Sequence, residues 1–170
     1  MIKTNYNIIL CGFMGCGKTT IGKVLSKITG LGFIDIDEYI ENKTKMNIKQ
    51  IFSVYGEDYF RAIEADVVKK ISNSKGQIIA CGGGTVLSNQ NVENLKKNGK
   101  IIFLDVNKDI LVNRLKNDKK RPLIKNKATI ENLFNLRYEK YINCADFIIK
   151  ANKNISDTCY KVAEIIYTLN

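Results

Sequence analysis

Between residues 8 and 20 the chain reads Ile8-Ile9-Leu10-Cys11-Gly12-Phe13-Met14-Gly15-Cys16-Gly17-Lys18-Thr19-Thr20, an apolar run that enters a glycine-rich turn and leaves it as a helix. Residues 12 to 19 fit G-x-x-x-x-G-K-[ST], the phosphate-binding P-loop. Gly12, Gly15 and Gly17 let the backbone curl until its amide hydrogens point inward, and the start of the next helix reinforces this anion nest. Lys18 supplies a mobile point charge for β- and γ-phosphates, and the Thr19 hydroxyl stands where a Mg²⁺ ligand is needed. After the loop, Ile21, Val24, Leu25 and Ile28 continue an apolar stripe at helical spacing. The motif therefore has the strand, turn and helix around it that nucleotide binding requires, and a bland glycine turn accounts for neither flank.

A chain of 170 residues suits a single domain, 1–170, with one core. No apolar stretch reaches the length of a membrane span and no opening segment has the build of a secretion signal, so the expectation is a soluble, cytoplasmic protein with no membrane partner. The five cysteines, at 11, 16, 81, 144 and 159, form no C-x-x-C pair, and the chain has no histidine. That argues against a zinc site and for free thiols in a reducing compartment. Cys16, beside a lysine and a helix start, is either a thiol open to alkylation or a small residue filling a tight loop. Lys and Arg outnumber Asp and Glu by 27 to 17, a net charge of +10, which favours phosphorylated or acidic ligands. The basic residues form no aromatic-interleaved platform, so no nucleic acid partner is expected.

Downstream, Phe33-Ile34-Asp35-Ile36-Asp37 reads as a short strand ending in two carboxylates. If the strand stops between them, both face the phosphate crevice, one supporting Mg²⁺ through water and the other holding a substrate hydroxyl. Alternatively Asp37 caps a helix over 38–43. From residue 48 to 72 apolar positions recur at helical spacing, broken at Gly56, as a helical insertion that carries Arg61. Gln77 to Gly84 reads Gln-Ile-Ile-Ala-Cys-Gly-Gly-Gly, a short buried strand running straight into three glycines. Three consecutive glycines are costly in backbone entropy, and a ligand approaching the backbone closely supplies a reason. The apolar strand ending at Asp105 offers another candidate for the Mg²⁺ water shell. Asp35 comes sooner after the P-loop and the triple glycine claims the neighbouring strand end, so Asp105 reads as a decoy. The polar, basic stretch after helix 109–116 contains Arg121-Pro122-Leu123 and reads as a lid, about 114–127, that brings an arginine to a phosphoryl group. Helices over 130–141 and 155–169 flank a last strand at 147–149.

Together, Gly12-Phe13-Met14-Gly15-x-Gly17-Lys18-Thr19-Thr20, Phe33-x-Asp35-x-Asp37, Phe60-Arg61-x-x-Glu64, Gly82-Gly83-Gly84, Arg121-Pro122-Leu123 and Arg137-x-x-x-Tyr141 resemble the shikimate kinase family in order and interval across essentially the whole chain. The resemblance implies a three-layer αβα P-loop fold with a five-stranded parallel sheet, order 2-3-1-4-5, agreeing with the alternating strands and helices. It implies ATP and shikimate as substrates, Mg²⁺ as cofactor, a monomer, and a substrate-binding helical region at about 35–62. Asp37, Arg61, Arg137 and the amides of Gly82, Gly83 and Gly84 would hold shikimate. Thr19 and Asp35 would serve the metal. Lys18 and Arg121 would stabilise the γ-phosphoryl group, Asp37 would orient or deprotonate the acceptor hydroxyl, and Arg114 would lie against adenine. Gly12, Gly15, Cys16, Gly17, Lys18, Thr19 and Thr20 would cradle the phosphates. The chain departs from the family's Arg-x-Pro-Leu-Tyr by reading Arg137-Tyr138-Glu139-Lys140-Tyr141, which adds charge beside the substrate arginine.

Two other readings share parts of this pattern. A P-loop kinase of gluconate or of a nucleoside monophosphate would keep the ATP half of the site without needing Asp35-x-Asp37, Arg61 and the triple glycine together. A nucleotide- or nucleic-acid-binding module without phosphoryl transfer would use the +10 charge. The paired carboxylates and lid arginine speak against it.

Overall fold

The computed structural model describes residues 4–116, 127–152 and 154–169. Five parallel strands form one sheet in the order β2-β3-β1-β4-β5, as the resemblance implied. They are β1 (Asn7–Cys11), β2 (Gly32–Asp35), β3 (Gln77–Ala80), β4 (Gly99–Asp105) and β5 (Phe147–Lys150). The helices are α1 (Lys18–Thr29), α2 (Ile36–Thr44), α3 (Ile48–Ile71), α4 (Asn89–Lys97), α5 (Lys108–Lys116), α6 (Lys127–Cys144) and α7 (Ile155–Thr168).

The central strands are apolar on both sides because both faces are covered. Ile8, Ile9, Leu10, Ile78, Ile79, Ile101 and Ile102 are all fully buried. Each such side chain contributes about 1.5–3 kcal/mol on leaving water, and this strip is the main source of stability. The chain steps from β1 outward to β2, and every later crossover steps the other way. Right-handed connections then put α1 on one face of the sheet and α3 and α4 on the other, with α7 returning to pack beside α1.

Register places the chemistry. Leu10 of β1 lies level with Ala80 of β3, and Ala80 with Asp35 of β2, so the P-loop, the glycine triplet and Asp35 all leave the sheet along one carboxyl edge. The switch point of the strand order lies beside β1, where an open α/β sheet binds its ligand.

Several boundaries differ from the sequence expectation. The strand expected over 33–37 ends at Asp35, because that carboxylate, not Asp37, caps the following helix: Asp35 Oδ1 accepts from Asp37 N at 3.0 Å and Glu38 N at 3.2 Å. Helix α2 accordingly begins at Ile36 instead of 38, and the cap contributes about 1 kcal/mol. Helix α6 extends three residues beyond the expected range at each end. The break expected at Gly56 is present as a kink with φ 83° and ψ 176° inside α3. The short 3-10 turn at Thr85–Leu87 had no sequence signal.

Candidate active site

The P-loop is held open by positive-φ conformations at Gly12, Gly15 and Gly17, which only glycine adopts without strain. Gly12 has φ 143°, and a Cβ there would lie 2.9 Å from the Leu104 carbonyl oxygen; Gly17, at φ 98°, is the left-handed N-cap of α1. Lys18 folds back across this loop. Its Nζ donates to the carbonyls of Gly12 at 2.7 Å and Phe13 at 3.1 Å, and to Cys16 Sγ at 3.7 Å. The lysine is 9% exposed, so its charge is poised under the nest and not dispersed in solvent. Cys16 is buried, which selects the loop-filling alternative over an exposed thiol. All five cysteines are free and buried.

A cleft of about 290 Å³ opens above the loop, lined by Met14, Gly15, Gly17, Lys18, Thr19, Thr20, Asp35, Asp37, Cys81 and Gly83. At one end Thr19 Oγ1 donates to Asp35 Oδ2 at 2.6 Å. The other carboxylate oxygen of Asp35 is committed to capping α2, so Oδ2 is aimed at the P-loop. A hydroxyl and a carboxylate oxygen are hard donors. The pair fits Mg²⁺, which keeps most of its waters and takes few protein ligands beside substrate phosphates. Among the described residues no group of three or more acidic, cysteine or histidine side chains could hold a metal.

The other end is built on the glycine triplet, and each of the three glycines meets a different side chain. A Cβ on Gly82 would lie 2.7 Å from Asp37 Oδ1. The Gly83 carbonyl accepts from Arg137 Nη1 at 3.4 Å and from the Tyr141 hydroxyl at 2.6 Å. A Cβ on Gly84 would lie 2.6 Å from Arg61 Nη2. The triplet is therefore a bare backbone floor onto which one carboxylate and two guanidinium groups close. Replacing Gly82 by Ala is expected to push Asp37 aside and cut kcat/KM for the acceptor by about tenfold to hundredfold, with the thermal midpoint showing that the fold is kept.

Arg61 is held by Glu64 Oε2 at 2.8 Å and by Glu57 Oε1 at 3.0 Å. Burial pulls its pKa down, but hydrogen bonds and charge from Glu64 and Glu57 outweigh that and raise it, so the group stays cationic. Glu64 itself is buried, and its other oxygen accepts from Thr85 Oγ1 at 2.7 Å. Thr85 carries no sequence signal, and Glu64 and Tyr141 entered only as letters of a motif; the structure shows them bracing the floor. Burial holds the Tyr141 phenol well above its ordinary pKa, so it remains a donor to Gly83. Burial likewise raises the thiol of Cys81, a cleft residue that sequence reasoning had not placed there.

Arg114 donates to the Gly15 carbonyl of the P-loop at 3.0 Å. Arg121 and most of the expected lid lie outside the described residues. Arg137 reaches the Gly83 carbonyl with the charged Glu139 and Lys140 beside it in the chain. Asp105 is taken up by Lys150 and by the Tyr138 hydroxyl at 3.2 Å.

Against this geometry, a sequence model of the family described as shikimate kinase matches residues 14–168. A shikimate kinase of Thermodesulfovibrio yellowstonii is 44% identical over 146 residues, 82% of this chain and 84% of that protein. The solved shikimate kinase from Acinetobacter baumannii in complex with shikimate superposes with a TM-score of 0.91 at 32% identity, covering 99% of this chain and 96% of that one. A gluconokinase from Sinorhizobium meliloti reaches a TM-score of only 0.59 at 11% identity, a likeness of fold alone.

Proposed function

Because the chain belongs to the shikimate kinase family, we propose that it is a single kinase domain that transfers the γ-phosphoryl group of ATP to the 3-hydroxyl of shikimate. One observation carries the acceptor half: Asp37, Arg137 and Arg61 each close on one glycine of the Gly82-Gly83-Gly84 floor, beside the P-loop. Two forked guanidinium groups suit the acid's carboxylate, and a carboxylate with backbone amides suits its hydroxyls. A nucleotide acceptor would call instead for a base-binding pocket, and gluconate does not explain two arginines converging on one floor with an aspartate.

The chemistry asks the protein for position and charge, since phosphoryl transfer passes through a loose transition state. The amides of the P-loop cradle the phosphates, and Lys18, already held at the loop, brings its charge to the γ-phosphoryl oxygens. Asp37 orients the attacking hydroxyl and receives its proton late. Arg121 would add positive charge from the expected lid, about 114–127, whose closure would exclude water. Thr19 and Asp35 would hold Mg²⁺, which would supply positive charge to neutralise the phosphate oxygens.

Coupled measurement of ADP release with shikimate, gluconate and nucleoside monophosphates tests the reading. Turnover with shikimate alone is expected; turnover with another acceptor and none with shikimate would overturn the acceptor assignment while keeping the ATP site. The metal assignment has its own test. Asp35→Asn is expected to raise the Mg²⁺ concentration for half-maximal rate by about tenfold or more, whereas Asp105→Asn leaves it unchanged. A shift with Asp105→Asn and none with Asp35→Asn would exchange the two carboxylates.

A further inference from the structure

Resting on that reading of the acceptor site, we propose that Tyr138, Asp105 and Lys150 act together as a positioning device that sets the roll of α6 and so aims Arg137 at the acceptor. Asp105 ends β4 and lies level with Lys150 of β5. On parallel strands in register the two side chains share a face, and Lys150 pairs with Asp105 Oδ2. The Tyr138 hydroxyl donates to the same oxygen at 3.2 Å. Only 6% of the Asp105 side chain is exposed, against 70% of Lys150. A carboxylate that deep needs its donors, so its oxygen is a fixed point in the sheet and Tyr138 is tied to it. The tyrosine ring is fixed as well, edge-on to Phe103 at 5.9 Å and against Phe134 at 5.1 Å.

The consequence falls on the next residue along the helix. Arg137 precedes Tyr138, and α6 runs unbroken from Lys127 to Cys144 with neither proline nor glycine to set its angle. A roll of roughly 15° moves a group roughly 6 Å from the axis by about 1.5 Å. That is enough to take Arg137 off the Gly83 carbonyl, which it reaches at 3.4 Å. Tyr141 ties α6 to Gly83 at one place and Tyr138 ties it to β4 at a second. Two separated ties fix a rotation where one would leave a hinge. Lys150 touches neither substrate nor phosphate in this scheme and acts only through Asp105.

Initial rates over shikimate and ATP, varied separately, test this on Tyr138→Phe, Lys150→Met, Lys150→Arg and the Tyr138→Phe/Lys150→Met pair. Tyr138→Phe is expected to raise KM for shikimate by roughly threefold to tenfold, and Lys150→Met by roughly threefold because its charge is largely solvated. KM for ATP should stay within about twofold in both, and the pair should cost less than the product of the singles because both act through one oxygen. Lys150→Arg should restore the wild-type KM, which a merely structural loss would not single out. Unchanged KM for shikimate in Tyr138→Phe, an equal rise for both substrates, or Lys150→Arg as impaired as Lys150→Met would overturn the device. Failure of the substrate reading is distinct, since the wild-type protein itself would then be silent with shikimate, and the device would fall with it.

Discussion

Lys18→Ala is expected to lower kcat by about two to three orders of magnitude, equivalent to about 3–4 kcal/mol of transition-state stabilisation. The magnitude follows from where the amine sits. Held within hydrogen-bonding reach of the Gly12 and Phe13 carbonyls and 9% exposed, it needs little reorganisation to meet charge as it develops on the transferring group. A solvated lysine would contribute far less, because water would screen it. The truncation removes the lysine donor from the Gly12 carbonyl, while that of Phe13 keeps the Cys16 amide at 3.2 Å, so a small fall in thermal midpoint should accompany the kinetic loss. Lys18→Arg separates the two effects: it keeps the charge but brings a planar fork into a buried slot shaped for a compact ammonium. It is expected to recover little activity. Full turnover in Lys18→Ala, measured by ADP release at saturating ATP, would remove the lysine from the chemistry.

The P-loop was legible because its function depends on backbone shape, and backbone shape leaves glycines at fixed intervals. The central strands were legible for a related reason: a parallel sheet covered on both faces writes nearly continuous apolar runs, as in Ile8-Ile9-Leu10 and Ile101-Ile102-Phe103. The start of α2 was misread because two aspartates two residues apart each make a plausible cap. Only the geometry of Asp35, with one oxygen on the helix amides and the other on Thr19, separates them. The glycine triplet announced a close approach without saying of what, since Asp37, Arg61 and Arg137 come from three distant segments and converge only through the fold. Residues such as Thr85 and Tyr138 were invisible for the same reason. A hydroxyl that matters through one tertiary contact leaves no periodicity and no spacing in the chain.

Arg61→Ala should raise KM for shikimate by about tenfold to hundredfold, with KM for ATP nearly unchanged. The expected effect is large because the lost group would be a charged fork paired with a carboxylate across the glycine floor. The same substitution has a second cost, on stability. Glu64 is buried at 1% exposure and, among the described residues, would keep only the Thr85 hydroxyl as a partner. Removing one member of a fully buried ion pair costs roughly 3–5 kcal/mol; the Arg61 side chain is 32% exposed, so screening by solvent brings the expected loss to roughly 1–3 kcal/mol. A reader of Arg61→Ala alone could not tell a weakened acceptor site from a loosened fold. Adding Glu64→Gln resolves the ambiguity, since a neutral amide tolerates the missing guanidinium and the thermal midpoint should recover. KM for shikimate should remain raised in the double variant. Recovery of both would make Arg61 a brace for Glu64 with no hold on the acceptor, and an equal rise in KM for ATP would move it out of the acceptor site altogether.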